Sequence, residues 1–307
     1  MNYTLHQLQV FLKVAEKQSI TKDAEALFLS QPAVSIQLKN FQQQFSIPLT
    51  EVVGRKLYIT DFGTEIAEAA EKIIDQVNAI NYKSSSYEGN LSGKLKISIV
   101  STGKYVMPYF LTDFIKQHPN VDLIMDVTNK TKVIKSLEQN EVDFALVSVL
   151  PKHLKINTLP LMENKLFFVG GRNMKVDFVN DKSLFEKLPL IYREQGSATR
   201  AAMERFIKKN NLPAYKKIEL TSNEAVKQAI VAGLGYSVMP LIGIKNELQT
   251  RDVQIIRVNG LPMSTTWNLI WQKTKNLSPA SSAFLEYVAL AKNKIIAQHF
   301  SWRNDFE

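Results

Sequence analysis

The sequence predicts an α/β protein in which a small N-terminal all-α domain with a β-hairpin precedes a larger α/β domain. Three observations predict this order. Apolar residues recur at helical spacing over the first 60 residues, a heptad pattern follows, and strand-like runs then alternate with helical runs. The 307 residues, of which 45% are hydrophobic and 22% charged, provide enough apolar material for two or three globular domains.

The first domain shows the pattern of three helices. One apolar face of the first helix consists of Leu5, Leu8, Phe11, Leu12 and Ala15. A short second helix contains Ala24 and Leu27. Ser30 is a good N-cap for a third helix, and Pro32 suits the first turn of that helix. We expect the third helix to end near Phe45.

A β-hairpin wing is expected after the third helix. Two strand-like pieces, residues 49–53 and 57–60, flank the turn Gly54-Arg55-Lys56. Residues 1–63 therefore predict a winged helix-turn-helix, a fold whose second helix enters the major groove of DNA. The spacing by itself leaves DNA binding open, because three-helix cores that bind no DNA share it.

Residues 64–90 predict a linker helix. Its apolar residues alternate spacings of four and three, as in a heptad repeat, and are Ile66, Ala70, Ile73, Val77 and Ile80. A helix this amphipathic needs a partner, so we expect it to pair with its own copy and to hold a homodimer. Packing on its own domain is the alternative.

Residues 91–307 predict an α/β domain with mostly parallel strands. Strand-like runs at 94–100, 121–127, 144–149, 166–169, 190–192 and 236–239 alternate with helical runs at 132–139, 199–209 and 223–232. The length suits two lobes with a cleft between them. We place one lobe at residues 91–163 plus 268–307 and the other at residues 164–267.

The net charge of +9 is unevenly distributed. The first 60 residues hold six Lys/Arg and four Asp/Glu, whereas residues 91–307 hold 30 Lys/Arg and 19 Asp/Glu. The charge therefore does not establish DNA binding by the first domain. It favours an anionic ligand in the second domain, with a solvated lysine-rich surface as the alternative.

Enzymatic function is disfavoured by the sequence. The absence of cysteine excludes disulfides, thiolate metal sites and cysteine nucleophiles. His6, His118, His153 and His299 have no metal-ligand spacing, and there is no nucleophile elbow, Walker loop or dinucleotide fingerprint. We therefore expect no enzyme activity, no metal and no cofactor. The N-terminus also lacks the features of a signal peptide, and no run is long and apolar enough to span a bilayer, so we expect a cytoplasmic protein without membrane contact.

The third helix and the wing carry the candidate DNA-binding residues. Gln31 can pair bidentately with adenine, Ala33 can touch a thymine methyl group, and Ser35 can bond a base edge or a phosphate. Basic side chains on the helix and wing suit phosphate contacts. The full candidate set is Ser30, Gln31, Pro32, Ala33, Ser35, Lys39, Arg55 and Lys56.

These residue identities closely resemble the LysR-type transcriptional regulators. The matching residues are Leu8-Gln9-Val10-Phe11, Ser19-Ile20-Thr21, Ala24, Leu27, Ser30-Gln31-Pro32-Ala33-Val34-Ser35, Leu38 and Thr60-Asp61-Phe62-Gly63. Three residues depart from the family pattern: Asp23 stands in place of alanine, Thr50 of phenylalanine, and Val52 of arginine. The resemblance spans the chain and implies a periplasmic-binding-protein-like effector domain, binding to promoter DNA, and a homodimer or homotetramer. Such a regulator could also contact RNA polymerase.

The second domain resembles one branch of that family, the regulators of the Calvin cycle (RuBisCO operon) and of sulfur and nitrogen assimilation. The segments that carry this resemblance are residues 193–200, 222–230, 232–235 and 277–280. Ala198 stands where that branch usually has glycine.

Ligands of open α/β sheets bind at the carboxyl ends of strands, near helix N-termini. The candidate effector-binding residues by this rule are Ser101, Thr102, Thr131, Ser148, Gly196, Ser197, Thr199, Arg200 and Asn223. The family resemblance implies that they face one another across the cleft and bind a small anion. Alternatives remain: the hydroxyls and Asn223 could simply cap helices, and Arg200 could pair with Glu204. A solute-binding or enzymatic protein with an unrelated N-terminal domain is the alternative function.

Overall fold

The computed structural model describes residues 3–17, 30–54, 56–87, 91–174, 185–186, 189–213 and 216–306. Its contacts divide the chain into two compact units, Met1–Gly89 and Asn90–Glu307. The second predicted helix, which contains Ala24 and Leu27, and the wing residue Arg55 lie outside the described residues.

The N-terminal unit consists of helices and one hairpin. In chain order the elements are α1 (Leu5–Lys17), α2 (Gln31–Gln42), β1 (Thr50–Val53), β2 (Lys56–Ile59) and α3 (Asp61–Tyr87). The two strands pair antiparallel, with Val53 opposite Lys56, so the predicted wing is present.

The core of the N-terminal unit brings together one face of each helix. Its fully or nearly fully buried residues are Leu8, Val10, Phe11, Val14, Val34, Leu38, Phe41, Leu49 and Ala70. Two details differ from the sequence prediction. Leu5 is 44% exposed, because the buried face of α1 is centred on Val10 and Val14 instead. Helix α2 ends at Gln42, and Phe45 lies beyond the helix as a half-buried residue that packs on Phe41.

The start of α3 explains the Thr60-Asp61-Phe62-Gly63 motif. The Thr60 hydroxyl donates to the carbonyl of Pro48 at 2.7 Å and accepts from the Gly63 N–H at 2.9 Å, which caps the helix. A Cβ on Gly63 would lie 2.0 Å from the Leu49 carbonyl oxygen, so only glycine fits. The helix therefore begins at Asp61, whereas the sequence analysis ended the first domain at residue 63 and started the linker helix at residue 64.

The heptad seam of α3 divides into two parts. Ile66 is partly buried and Ala70 fully buried against the core of the same unit. Ile73 is 41% exposed and Ile80 67% exposed. The first turns of this helix thus pack on their own domain, and its later turns present an apolar stripe. Pairing of that stripe with a second copy stays a prediction.

The C-terminal unit alternates strands and helices as the sequence predicted. Its first half contains β3 (Gly93–Val100), α4 (Met107–Gln117), β4 (Val121–Thr128), α5 (Lys130–Glu138), β5 (Phe144–Val147) and β6 (Ile156–Gly171). Its second half contains β7 (Leu190–Arg193), α6 (Ala198–Lys209), β8 (Lys217–Leu220), α7 (Asn223–Val231), β9 (Ser237–Pro240), α8 (Lys245–Gln249), β10 (Val253–Ile256), β11 (Met263–Gln272) and α9 (Pro279–Phe300).

The expectation of mostly parallel strands is wrong for the main sheet. This seven-stranded sheet has the order β10-β6-β11-β5-β3-β4, with β9 also paired to β6. Among the described strands of this sheet, only the β3–β4 and β3–β5 pairings are parallel; β6 and β11 pair antiparallel with each other and with their other neighbours. The parallel pairs come from strand–helix–strand units, whereas the long strands β6 and β11 connect the two lobes. A separate small sheet pairs β7 and β8 in parallel.

Two lobes surround these long strands. Lobe I is built on β3, β4, β5, α4, α5 and α9, and its core includes Phe110, Phe114, Phe144 and Phe284. Lobe II is built on β7 to β10 and α6 to α8, with the second half of β6 at its centre. Within the described ranges, none of the helices has both the length and the apolar character that crossing a bilayer requires.

Candidate functional site

Helix α2 is held in place by its cap and by its buried face. Ser30 is extended at φ −75° and ψ 150°, and its hydroxyl accepts from the Ala33 N–H at 3.4 Å. Val34, Leu38 and Phe41 fix the opposite side of the helix in the core. The cap and the buried face therefore determine which residues at the N-terminal end of α2 face solvent.

The outer face of α2 carries no carboxylate and is mostly polar, with Ile36, which is 57% exposed, as its large apolar residue. Gln31, Pro32 and Lys39 are exposed, and Ala33 and Ser35 are half-exposed. In the wing, the predicted DNA-binding residue Lys56 is exposed. Such a surface offers amide and hydroxyl groups for base edges and positive charge for phosphates.

A cavity of about 730 Å³ lies between α5 of lobe I and α6 of lobe II. Its walls come from α5, the loop after β5, the loop after β7, and α6. The lining residues are Lys130, Thr131, Ile134, Lys135, Glu138, Val149, Leu150, Pro151, Lys152, His153, Gln195, Gly196, Ser197, Ala198, Arg200, Ala201, Glu204 and Arg205. A volume of this size suits a small organic ligand.

The two lobes touch where the cavity meets the helix starts. Gly196 has a φ of +84°, and a Cβ built on it would lie 2.7 Å from the Thr131 Oγ1 of the other lobe. Glycine therefore serves two purposes here: it adopts the left-handed backbone conformation and it permits the close approach.

Two helix N-termini open onto the cavity. The Asn129 side chain accepts from the Lys132 N–H at 3.0 Å, and the Ser197 hydroxyl accepts from the Arg200 N–H at 3.4 Å. These caps satisfy the third N–H of each helix, which leaves the first two without an intrahelical partner. Unpaired N–H groups and the helix dipole both favour an anion at this position.

Arg200 is engaged by its own lobe. Its guanidinium bonds Glu204 at 2.8 Å, Glu219 at 2.5 Å and the Arg193 carbonyl at 2.9 Å. The hydrogen bonds to Glu219 and Glu204 raise the pKa of Arg200. Arg200 thus fixes α6 to the β7–β8 sheet.

The remaining charge of the cavity is positive. Arg200 and Glu204 form an ion pair and offset each other. The other charged lining residues are one carboxylate, Glu138, and four cations, Lys130, Lys135, Lys152 and Arg205. Burial lowers the pKa of Lys130, and the charge of Arg205 lowers it further. The cavity is therefore a place where additional positive charge is unfavourable and an anion is favoured.

Four of the nine predicted effector-binding residues line this cavity: Thr131, Gly196, Ser197 and Arg200. The other five, Ser101, Thr102, Ser148, Thr199 and Asn223, are not among its lining residues. Thr102 is 7% exposed, and Asn223 is 1% exposed, with its Nδ2 close to Gly243. Their roles in effector binding stay predictions.

Sequence reasoning missed the basic lining residues Lys130, Lys135, Lys152 and Arg205. A signal existed for the helical ones. Residues at i, i+1, i+4 and i+5 share a helix face, so the face that contains Thr131 also contains Lys130 and Lys135, and the face of Arg200 contains Arg205.

A second polar network joins the lobes near the end of β3. The Tyr105 hydroxyl donates to Glu224 at 3.3 Å, and Lys227 pairs with Glu224 at 3.1 Å and Glu247 at 2.8 Å. Burial lowers the pKa of Lys227, but its bonds to Glu247 and Glu224 outweigh burial and leave the pKa raised. This network links lobe I to α7 and α8 of lobe II.

A winged helix-turn-helix unit with a polar recognition face, combined with a two-lobed unit that encloses a basic cavity, defines a transcription regulator that senses a small molecule. The family models agree with this class. The model for "Bacterial regulatory helix-turn-helix protein, lysR family" matches residues 5–64, and that for "LysR substrate binding domain" matches residues 88–291. The chain belongs to the LysR family of bacterial transcription regulators.

Known proteins of this family are similar over nearly the full length. The HTH-type transcriptional activator CmpR of Synechocystis is 35% identical over 94% of this chain and 95% of its own length. The RuBisCO operon transcriptional regulator of Allochromatium vinosum is 34% identical over 94% and 96%. The regulatory domain of Synechocystis CcmR, solved in complex with 2-PG, is 28% identical with a TM-score of 0.62 and covers 66% of this chain and 98% of that domain. The resemblance to the RuBisCO operon branch is thus confirmed.

Proposed function

We propose that the chain binds promoter DNA as a homo-oligomer and that a small anion in the interlobe cavity sets its effect on transcription. The observation that carries the proposal is the cavity itself, where two helix N-termini from different lobes meet under an excess of basic side chains. An organic anion is the ligand that such a cavity stabilises. The regulator has no catalytic role in this proposal and acts in the cytoplasm.

DNA contact is assigned to α2 and the wing. Gln31 and Ser35 read base edges in the major groove, whereas Lys39, Lys56 and Arg55 neutralise phosphates. Each lost hydrogen-bonded contact between a side chain and a base should reduce discrimination between DNA sequences by about 1–3 kcal/mol. Loss of Lys39 should weaken binding to all sequences alike and should reduce its salt dependence.

The oligomer is assigned to the exposed half of the α3 seam. Ile73 and Ile80 are apolar and exposed in the single chain, so pairing with a second copy would bury them. A dimer places two α2 helices on successive major grooves of one operator. Pairing of effector domains into a tetramer and contact with RNA polymerase would extend this assembly. Sedimentation of the full chain tests the oligomeric state directly.

The effector acts by its different affinity for two arrangements of the lobes. A related regulatory domain was solved with 2-PG, so 2-PG is the first compound to test. Binding at the contact of Thr131 and Gly196 would change the distance between α5 and α6. That movement is the signal which the oligomer would transmit to DNA.

The test is a gel shift of the full chain on DNA upstream of its own gene and of any divergent neighbour, at fixed salt, with competitor DNA and with or without 2-PG. We expect a discrete shift that resists competitor and that 2-PG alters in affinity or mobility. The double variant Gln31→Ala/Ser35→Ala should lose its preference for the upstream DNA over competitor DNA. The control Lys72→Ala, on the exposed side of α3, should keep that preference. No specific shift by a folded protein would contradict the DNA assignment.

A further inference from the structure

Resting on the proposed DNA contact of α2, we propose that Ile36 is a further specificity-determining residue, which reads the C5 methyl group of a thymine in the major groove. The DNA-binding set predicted from the sequence does not include this residue. Its side chain would give the regulator a preference for an A·T pair, with thymine on the strand that α2 contacts, at one position of each half-site.

Ile36 lies at the centre of the outer face of α2. It is 57% exposed, whereas Val34 and Leu38, two residues away on either side, are buried in the core. Residues three or four apart share a helix face, so Ile36 lies in one row with Pro32 before it and Lys39 after it. Pro32 and Lys39 are exposed as well, so Ile36 belongs to the face of α2 that the core does not cover.

The place of Ile36 along α2 supplies the second argument, since single exposed aliphatic side chains are common and carry no function by themselves. Ile36 is the sixth residue of the helix, about 7.5 Å along its axis from Gln31. In a helix-turn-helix, the first turns of the second helix meet the base edges. Helix α2 lies inside residues 5–64, the region that the helix-turn-helix model of the family matches.

The chemistry of isoleucine restricts what it can read. Its side chain has no hydrogen-bond donor or acceptor, and the C5 methyl group of thymine is the apolar group that base edges present in the major groove. Contact with that methyl group would remove apolar surface of both partners from water. Over a G·C pair, the same side chain would cover polar groups without bonding them. Ile36 would therefore attract thymine and disfavour guanine and cytosine.

The other α2 residues assigned to DNA contact have different partners. Gln31 and Ser35 offer hydrogen bonds to polar base edges, and Lys39 offers a charge to a phosphate. Ala33 was also predicted to touch a thymine methyl group, but its side chain is small and only half-exposed. The larger and more exposed side chain of Ile36 can bury more of such a methyl group.

The experiment removes one methyl group of the DNA at a time. The probe is a duplex that the full chain enriches from a pool of random DNA, so that no operator needs to be known. Each thymine of the enriched site is replaced in turn by deoxyuridine, which pairs with adenine as thymine does but lacks the C5 methyl group. At the thymine beneath Ile36, this replacement should weaken binding of the wild type about fourfold, the value of one buried methyl group. In Ile36→Ala the same replacement should weaken binding less than about 1.5-fold, because the contact is already lost.

Three comparisons separate base reading from structure. Ile47→Ala makes the same truncation at an isoleucine that is 52% exposed and lies beyond α2, and it should keep the full wild-type response to deoxyuridine. Ile36→Val keeps a branched aliphatic side chain and should keep most of that response. Ile36→Ala should melt at or slightly above the wild-type temperature, because the side chain is exposed and alanine is the better helix former.

The outcomes distinguish this proposal from the proposed function. If the full chain enriches a site but every deoxyuridine replacement weakens wild type and Ile36→Ala equally, Ile36 reads no thymine, and DNA binding through Gln31 and Ser35 stands. A thymine that matters equally in both proteins is read by another residue, such as Ala33. If the folded wild type enriches no sequence, base reading by α2 is wrong and the role of Ile36 falls with it.

Discussion

At the scale of single residues, Gly196 sets how closely the lobes meet, because its absent Cβ leaves room for Thr131. Gly196→Ala should destabilise the C-terminal unit by about 1–3 kcal/mol, through the positive φ and through displacement of Thr131 Oγ1. Gly233 is a matched control: its φ is +80°, and a Cβ there would meet no atom within 4 Å. Thermal unfolding should show a larger loss for Gly196→Ala than for Gly233→Ala. Equal losses would mean that the contact of Gly196 with Thr131 contributes nothing to the stability of the C-terminal unit.

Tyr192, on β7 beneath α6, makes the stability of the fold change with pH in the alkaline range. Burial, followed by the charge of Glu204, raises its pKa from 10.0 to about 12, although Arg200 opposes this. Between pH 10 and pH 12 the unfolded chain releases the phenolic proton and the folded chain keeps it, so stability is full below pH 10 and falls as the pH rises. The free energy of unfolding of Tyr192→Phe, measured in urea, should decline less steeply over this pH range than that of wild type. Parallel declines would contradict the raised pKa.

The individual site residues show where sequence reasoning succeeds. Ser30 and Ser197 were recognisable as helix starts because capping needs only a hydroxyl beside the first turn, and each accepts a backbone N–H as expected. The alternative that Asn223 caps its helix is wrong, because the neighbouring Ser222 accepts the Ala225 N–H and Asn223 is the first helical residue.

That Lys130 and Arg205 line the same cavity was not recognisable, even though each could have been placed on its own helix face. Those two residues are 75 positions apart, and only the folded lobes bring them to one cavity.

At the scale of elements, the junction of the wing with α3 depends on Thr60 and Gly63. Gly63→Ala would place a Cβ against the Leu49 carbonyl, and backbone cannot yield as a flexible side chain does. We expect this variant to lose specific DNA binding and to lower the melting temperature of the N-terminal unit. Thr60→Val should cost about 1 kcal/mol by removing the cap, whereas Thr60→Ser should be nearly neutral. Wild-type DNA binding by Gly63→Ala would show that the junction can shift freely.

Many strands and helices of the C-terminal unit were predicted one by one from a local apolar pattern, although the prediction did not include β8, β10, β11 or α9. Their pairing was not. The antiparallel contact of β6 with β11 joins Met162 to Trp267 across about a hundred residues, and no local signal marks it. A strand–helix–strand rule applied throughout the unit therefore gave too many parallel pairs. The same rule holds where the chain makes local crossovers, as between β3 and β4.

At the scale of the whole C-terminal unit, the segment after α9 ties the lobes together. Trp302 packs against the core of lobe I and against that of lobe II, and the Lys245 Nζ of lobe II lies 5.2 Å from its ring centroid. Arg303 donates to the Glu163 carbonyl at 2.6 Å, on the strand that connects the lobes. Rotation of one lobe against the other would therefore have to disrupt these contacts.

Removing this tie should weaken the coupling between the lobes. Trp302→Ala should cost about 1–3 kcal/mol, less than a fully buried tryptophan because the side chain is only half-buried. Urea unfolding should become less cooperative, because each lobe keeps its own core. Leu290→Ala, which truncates a side chain on α9 that is 80% exposed, is the control and should behave as wild type. If Trp302→Ala retains both the midpoint and the slope of wild-type unfolding, the tail does not hold the lobes together and β6 and β11 do. Movement of the lobes on anion binding would then have to bend those strands and would not need to break the tail contacts.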